Sequence, residues 1–93
     1  MNNEEIKELI EEIWRKCRLK SKDIEDMHQI QQFSHAYNII EESLSLWINA
    51  LIIDESALDC INKIAQEHGL VHHWIKTDSQ KGLEIYTPKK NNN

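Results

Sequence analysis

Apolar positions recur along most of this chain at intervals of three and four. In "NNEEIKELIEEIWRKCRLK", Ile6, Leu9, Ile10, Ile13 and Cys17 make one such stripe, with Trp14 beside it and Glu and Lys opposite. The spacing predicts a first helix over residues 3–18. Asn2 or Asn3 supplies its N-cap. Glu4 and Glu5 fall in the first turn and Arg15, Lys16 and Arg18 in the last, the charge order that the helix dipole favours.

The next stripe is more regular. Ile30, Phe33, Tyr37, Ile40, Leu44, Trp47 and Leu51 follow at steps of 3, 4, 3, 4, 3 and 4, and no Gly or Pro falls between residues 21 and 68. This predicts a second helix over 22–53, N-capped at Ser21 and roughly 45 Å long. It is about twice the length of the first helix, too long to bury its stripe against that helix alone. Either the first and third helices flank it end to end in a monomer, with the stripe as internal core, or the stripe pairs two copies; the reading favoured is a homodimer through the helix 22–53. Within it, "LSLWINALII" (44–53) is apolar nearly all round, which suits deep burial. A competing reading makes 46–53 a strand, because Ile and Trp favour strands.

"DESALDCINKIAQEHGL" predicts a third helix over 55–68, capped by Asp54 or Ser56, with Leu58, Ile61, Ile64 and Ala65 inward. Gly69 and Leu70 read as its C-terminal stop. "VHHWIKT" and "GLEIYT" then alternate at period two around "DSQK", which predicts a two-stranded hairpin over 71–87. In that hairpin His72, Trp74, Glu84 and Tyr86 share a face, with Trp74 and Tyr86 paired across the strands. The fold class expected is mainly α: a helical hairpin with a long second helix, a third helix and a C-terminal β-hairpin. Residues 1–88 form one domain, and 89–93, "KKNNN", read as a disordered tail.

Composition agrees with an ordinary small domain: 93 residues, 40% apolar and 29% charged, with two Gly and one Pro. The formal charge of −5 opposes a general nucleic-acid binder, and its distribution sharpens the point. Residues 22–67 hold nine acids against Lys22 and Lys63, whereas 68–93 hold four lysines and two acids. The longest apolar run is half a membrane span. The acidic, amphipathic N-terminus does not read as a secretory signal. Cys17 and Cys60 lie far apart outside any CxxC spacing, each among apolar helical positions. The chain thus reads as soluble and cytoplasmic, with reduced thiols.

Three chemistries compete for the polar residues. "EHGLVHHWIKT" (67–77) carries His68, His72 and His73 downstream of Cys60. Cys60, His68 and His72 are the candidate zinc ligands, but no second motif supports them and Gly69 breaks the spacing, so no metal or other cofactor is expected. Three helices followed by a hairpin is also the layout of a winged-helix DNA-binding regulator, with 55–68 as the reading helix and 71–87 as the wing. Asp54, Glu55, Asp59 and Glu67 on that helix would repel phosphate, so nucleic acid is not the expected partner. No convergent group of polar residues reads as catalytic, and no enzyme is expected. What remains is a small acidic regulatory or adaptor protein that binds another protein, with the face of His72, Trp74 and Tyr86 as the contact. The acids of the middle segment could also imitate phosphates toward a basic partner.

Overall fold

The computed structural model describes residues 2–19 and 33–88. Its elements are α1 (Asn3–Lys16), β1 (Phe33–Asn38), β2 (Ser43–Asn49), a 3-10 turn at Ala50–Ile52, α2 (Glu55–Glu67), β3 (Val71–Lys76) and β4 (Lys81–Tyr86). The strands form one four-stranded antiparallel sheet in the order β1-β2-β4-β3. The fold is α+β, which corrects the mainly helical expectation.

The correction falls on residues 33–53. No long helix runs there; the segment is a β-hairpin and a 3-10 turn. Residues 20–32, the first part of the predicted helix, lie outside the described residues, as does the tail 89–93. Of the stretch 46–53 that the competing reading makes a strand, 46–49 belong to β2, which begins at Ser43, and Ala50–Ile52 form the 3-10 turn. "SLSLWIN" alternates: Leu44, Leu46 and Ile48 are buried, while Ser43, Ser45, Trp47 and Asn49 point the other way. The turn between β1 and β2, inside the predicted helix, uses neither Gly nor Pro. Asn38 Oδ1 accepts from the Glu41 N–H at 3.0 Å, and Glu42 takes the left-handed conformation at φ 51°.

The two helices form as the 3.6-residue pattern predicts. Asn2 caps α1, its Oδ1 accepting from the Glu5 N–H at 2.9 Å. At the end of α2, Gly69 turns left-handed at φ 70° and the Leu70 N–H donates to the Ala65 carbonyl at 2.8 Å, which brings Leu70 back onto the core. Ile6, Leu9, Ile10 and Ile13 of α1 and Ala57, Ile61, Ile64 and Ala65 of α2 bury against one side of the sheet. That side presents Phe33, Leu44, Leu46, Ile48, Leu83 and Ile85, matched row by row in the strand register. Burial of such side chains contributes about 1.5–3 kcal/mol each.

β4 lies inside the sheet, between β2 and β3. The Thr87 N–H donates to the Leu44 carbonyl at 2.9 Å, and its Oγ1 accepts from the Leu44 N–H at 2.8 Å. The hairpin 71–86 is therefore half of the sheet and not a projecting wing. A disulfide joins Cys17, the C-cap of α1, to Cys60 in α2, with Cα atoms 5.6 Å apart across 43 residues of sequence. This corrects the expectation of reduced thiols.

Candidate protein-binding face

The sheet has one side under the helices, and among the described residues nothing covers the other, the open side. The strand register builds the open side in rows. Ala36, Ser45, Tyr86 and Val71 form one row, Ser34, Trp47, Glu84 and His73 the next, and Asn49, Gly82 and Ile75 a third. Trp47 stands near the centre. Its Cζ2 and Cη2 lie 2.8 Å from where a Cβ on Gly82 would be, so the indole occupies the space that the missing side chain leaves. Trp47, Ser34, Asn49, Leu51, Ile75 and Gln80 line a shallow hollow of about 1030 Å³ at one end of this face.

Charge is almost absent from the open side. Among the described residues its strand positions carry one acid and one histidine, Glu84 and His73, directly opposite each other on β4 and β3, and Lys81 stands with Glu84 at the rim of the hollow. The helices hold the reverse: α1 and α2 together carry eight acids and four bases. Large aromatic residues in a charge-depleted patch are the compositional signature of an interface core.

The residues singled out in the sequence do not come together as expected. Trp74 pairs with Leu83 and His72 with Ile85, which places both on the helix side of the sheet at its edge. Tyr86 pairs with Val71 on the open side. Trp74 and Tyr86 therefore lie on opposite faces, and the cross-strand pair assigned to them does not exist. The reason is register: β3 and β4 pair at residues summing to 157, which sets an even-numbered residue of β3 against an odd-numbered one of β4.

The proposed self-association stripe is dispersed as well. Phe33 and Leu44 are buried in the core with Tyr37 packed against it, whereas Trp47 is on the open side. Ile40, 95% exposed, and Leu51, 72% exposed, sit at opposite ends of β2. Ile30 lies outside the described residues. Glu41 and Glu42 are likewise at the other end of β2 from Asp54, Glu55 and Asp59, so those acids form no single phosphate-like surface.

The candidate metal ligands have other partners or none in common. Cys60 is in the disulfide, and His68 Nε2 lies 3.2 Å from Glu12 Oε2. Among the described residues no group of three His, Cys, Asp or Glu side chains is placed to hold a metal ion. No helix among them is long and apolar enough to cross a membrane. The α2 surface presents Glu55, Asp59 and Glu67 against Lys63, and among the described residues the β1–β2 hairpin stands where the three-helix winged layout needs its second helix.

Glu12 ties the two helices together, through His68 on α2 and through Lys16 Nζ at 3.1 Å on its own helix. The hydrogen bond from Lys16, with His68 adding to it, holds the Glu12 carboxyl below its ordinary value of 4.5 against the opposing effect of burial. A depressed folded value means that this contribution is complete above pH 4.5 and is lost as pH falls through the folded value. Glu12→Gln is expected to destabilise the protein at pH 7 by under ~1 kcal/mol. The difference should close near pH 3. Thermal unfolding of both proteins at the two pH values checks this, and a gap that persists at pH 3 would contradict the ion-pair origin.

Beside the edge strand β3 runs a groove of about 390 Å³, lined by Ala50, Ile53 and Leu58 together with Trp74, Lys76, Lys81 and Glu55. Neither this groove nor the open face was read from the sequence. The one available signal was the alternation in "SLSLWIN", which sets Trp47 apart from Leu44, Leu46 and Ile48. In comparisons with known proteins, the chain has no significant match to a protein-family model, a curated protein or a solved structure.

Proposed function

We propose that this protein is a small regulatory or adaptor protein that acts by protein–protein binding, and that two copies associate through the open faces of their sheets. The observation that carries the reading is the charge-depleted open face around Trp47 and Tyr86, in a chain of which 29% is charged. A protein of net charge −5 repels its own copy wherever its acidic helices meet. The open face is where two copies can meet with little repulsion, leaving both helical layers outward for a further partner. Four strands of six or so residues span about 19 by 20 Å, a flat area below that of stable specific interfaces and in the range of transient ones. The association is thus expected to be weak and concentration-dependent.

The test is solution mass by light scattering across a hundredfold concentration range, on the natural chain and on Ala36→Glu/Ser45→Glu. Both substituted positions are exposed and on the open side; they oppose each other across β1 and β2, so the variant should lose up to about 1 kcal/mol to Glu–Glu repulsion and stay folded. The natural chain is expected to rise toward twice its mass and the variant to stay at one chain. A natural chain that remains single throughout removes the self-association. A dimer that the variant keeps places it on another surface.

A further inference from the structure

β3 is an edge strand: among the described residues it pairs with β4 alone. The Thr77 N–H donates to the Gln80 carbonyl at 2.7 Å, which makes Thr77 and Gln80 a hydrogen-bonded pair of the ladder. Alternation along an antiparallel ladder then directs the backbone groups of Val71, His73 and Ile75 to β4. Those of His72, Trp74 and Lys76 face outward. The strand is six residues long with unbroken register, and it has no proline; Lys76 at its end is the one feature that guards such an edge.

Two further observations say what the edge is suited to. The titratable side chains on β3 are His72, His73 and Lys76, without an acid among them. Lys76 is also directly opposite Lys81, and like charges in directly opposed positions destabilise a sheet. Both lysines line the groove, where Glu55 is the acid beside them. The rest of the groove is apolar, and Trp74 leans over it, 38% exposed.

We infer that the β3 edge binds an extended acidic peptide of another protein by strand addition. The outward backbone groups of His72, Trp74 and Lys76 supply the ladder. An apolar side chain of the peptide packs on Trp74 and Leu58 in the groove, and its carboxylates relieve the Lys76–Lys81 repulsion. Apart from Ala50 and Lys81, which line hollows on both sides, this surface is separate from the open face, and His72→Pro tests it without altering either hollow's lining.

The experiment is fluorescence anisotropy with a fluorescein-labelled synthetic peptide that alternates Glu with Leu and Val, and a second peptide with Lys in place of Glu. The acidic peptide is expected to bind saturably at low salt and to weaken as salt screens the charges. The basic peptide should not bind. Lys76→Glu/Lys81→Glu should lose roughly tenfold or more in affinity. His72→Pro removes one outward N–H while leaving the β3–β4 ladder intact, a substitution that edge strands tolerate, and it should also weaken binding. Should that variant fail to fold, Trp74→Ala replaces it, with the same loss expected. Absence of saturable binding, equal binding of the basic peptide, or indifference to the charge reversal would each overturn the inference. So would a dimer that His72→Pro dissociates and Ala36→Glu/Ser45→Glu does not, since a second copy would then occupy the edge.

Discussion

Gly82→Ala is expected to lower the melting temperature by about 15 °C or more. A Cβ at this position would meet the backbone carbonyl oxygen of Ile48 and, at 2.8 Å, the Cζ2 and Cη2 atoms of Trp47. The oxygen belongs to β2, which is hydrogen-bonded into the middle of the sheet and cannot withdraw without disturbing Leu46 and Ile48, both fully buried. The indole can move only by leaving the space over the glycine. Overpacking of this kind costs about 3 kcal/mol at the upper end of the usual range, a large part of the stability of a small domain. Thermal unfolding by circular dichroism reads the loss. A melting temperature within a few degrees of the natural chain would show that β2 and β4 do not approach as closely as described. The same contact makes Trp47→Ala a poor probe of the open face, which is why exposed Ala36 and Ser45 were chosen for charge insertion.

Opening the Cys17–Cys60 disulfide is the second large effect. The bond closes 43 residues of sequence and fastens the end of α1 to the middle of α2. Loop-closure entropy for that length corresponds to about 4 kcal/mol of stability, with measured values for native disulfides of similar size. Cys17 is buried and Cys60 lies half-buried at a small cleft beside Lys16 and Arg18, so a reductant reaches the bond from one side. Thermal unfolding with and without reductant is expected to differ by about 15 °C. Cys17→Ala/Cys60→Ala should melt near the reduced protein and ignore the reductant. Alkylation in denaturant provides the independent count: neither cysteine labelled before reduction, both after. Full labelling of unreduced protein would contradict the pairing.

The disulfide also shows why the sequence reading of the cysteines failed. Each cysteine sits at an apolar helical position, and a linear pattern cannot tell a small hydrophobe from half of a crosslink. Nothing in the spacing of 43 residues brings Cys17 to Cys60; the packing of α1 and α2 on one side of the sheet does. With Cys17 and Cys60 paired, their thiols no longer point to a reducing compartment.

The stripe from Ile30 to Leu51 failed for a different reason. Steps of three and four meet a period-two pattern at several positions, and Phe33, Tyr37 and Leu44 satisfy both. Leu46 and Ile48 break the tie, because with Leu44 they make an inward column that a helix would scatter around its axis. The turn between the strands was hidden since Asn38 and Glu42 do the work that Gly or Pro usually signals. The shared face of Trp74 and Tyr86 failed through register alone: one residue of offset between β3 and β4 separates them by the thickness of the sheet.

What the sequence determined by itself was local. It specified α1, α2, the stop at Gly69 and Leu70, and the existence of the last hairpin, because each is set by side-chain period and capping within a few residues. The tertiary structure alone decided the rest. β4 enters the sheet beside β2, so the hairpin became part of the core layer instead of a wing. That pairing joins residues 33 to 41 positions apart, and among the described residues it left one sheet face uncovered, set Trp47 over Gly82 and put β3 at an edge. Long-range pairing is chosen by the total burial of Leu46, Ile48, Leu83 and Ile85 together, a sum that no single stretch of the chain contains.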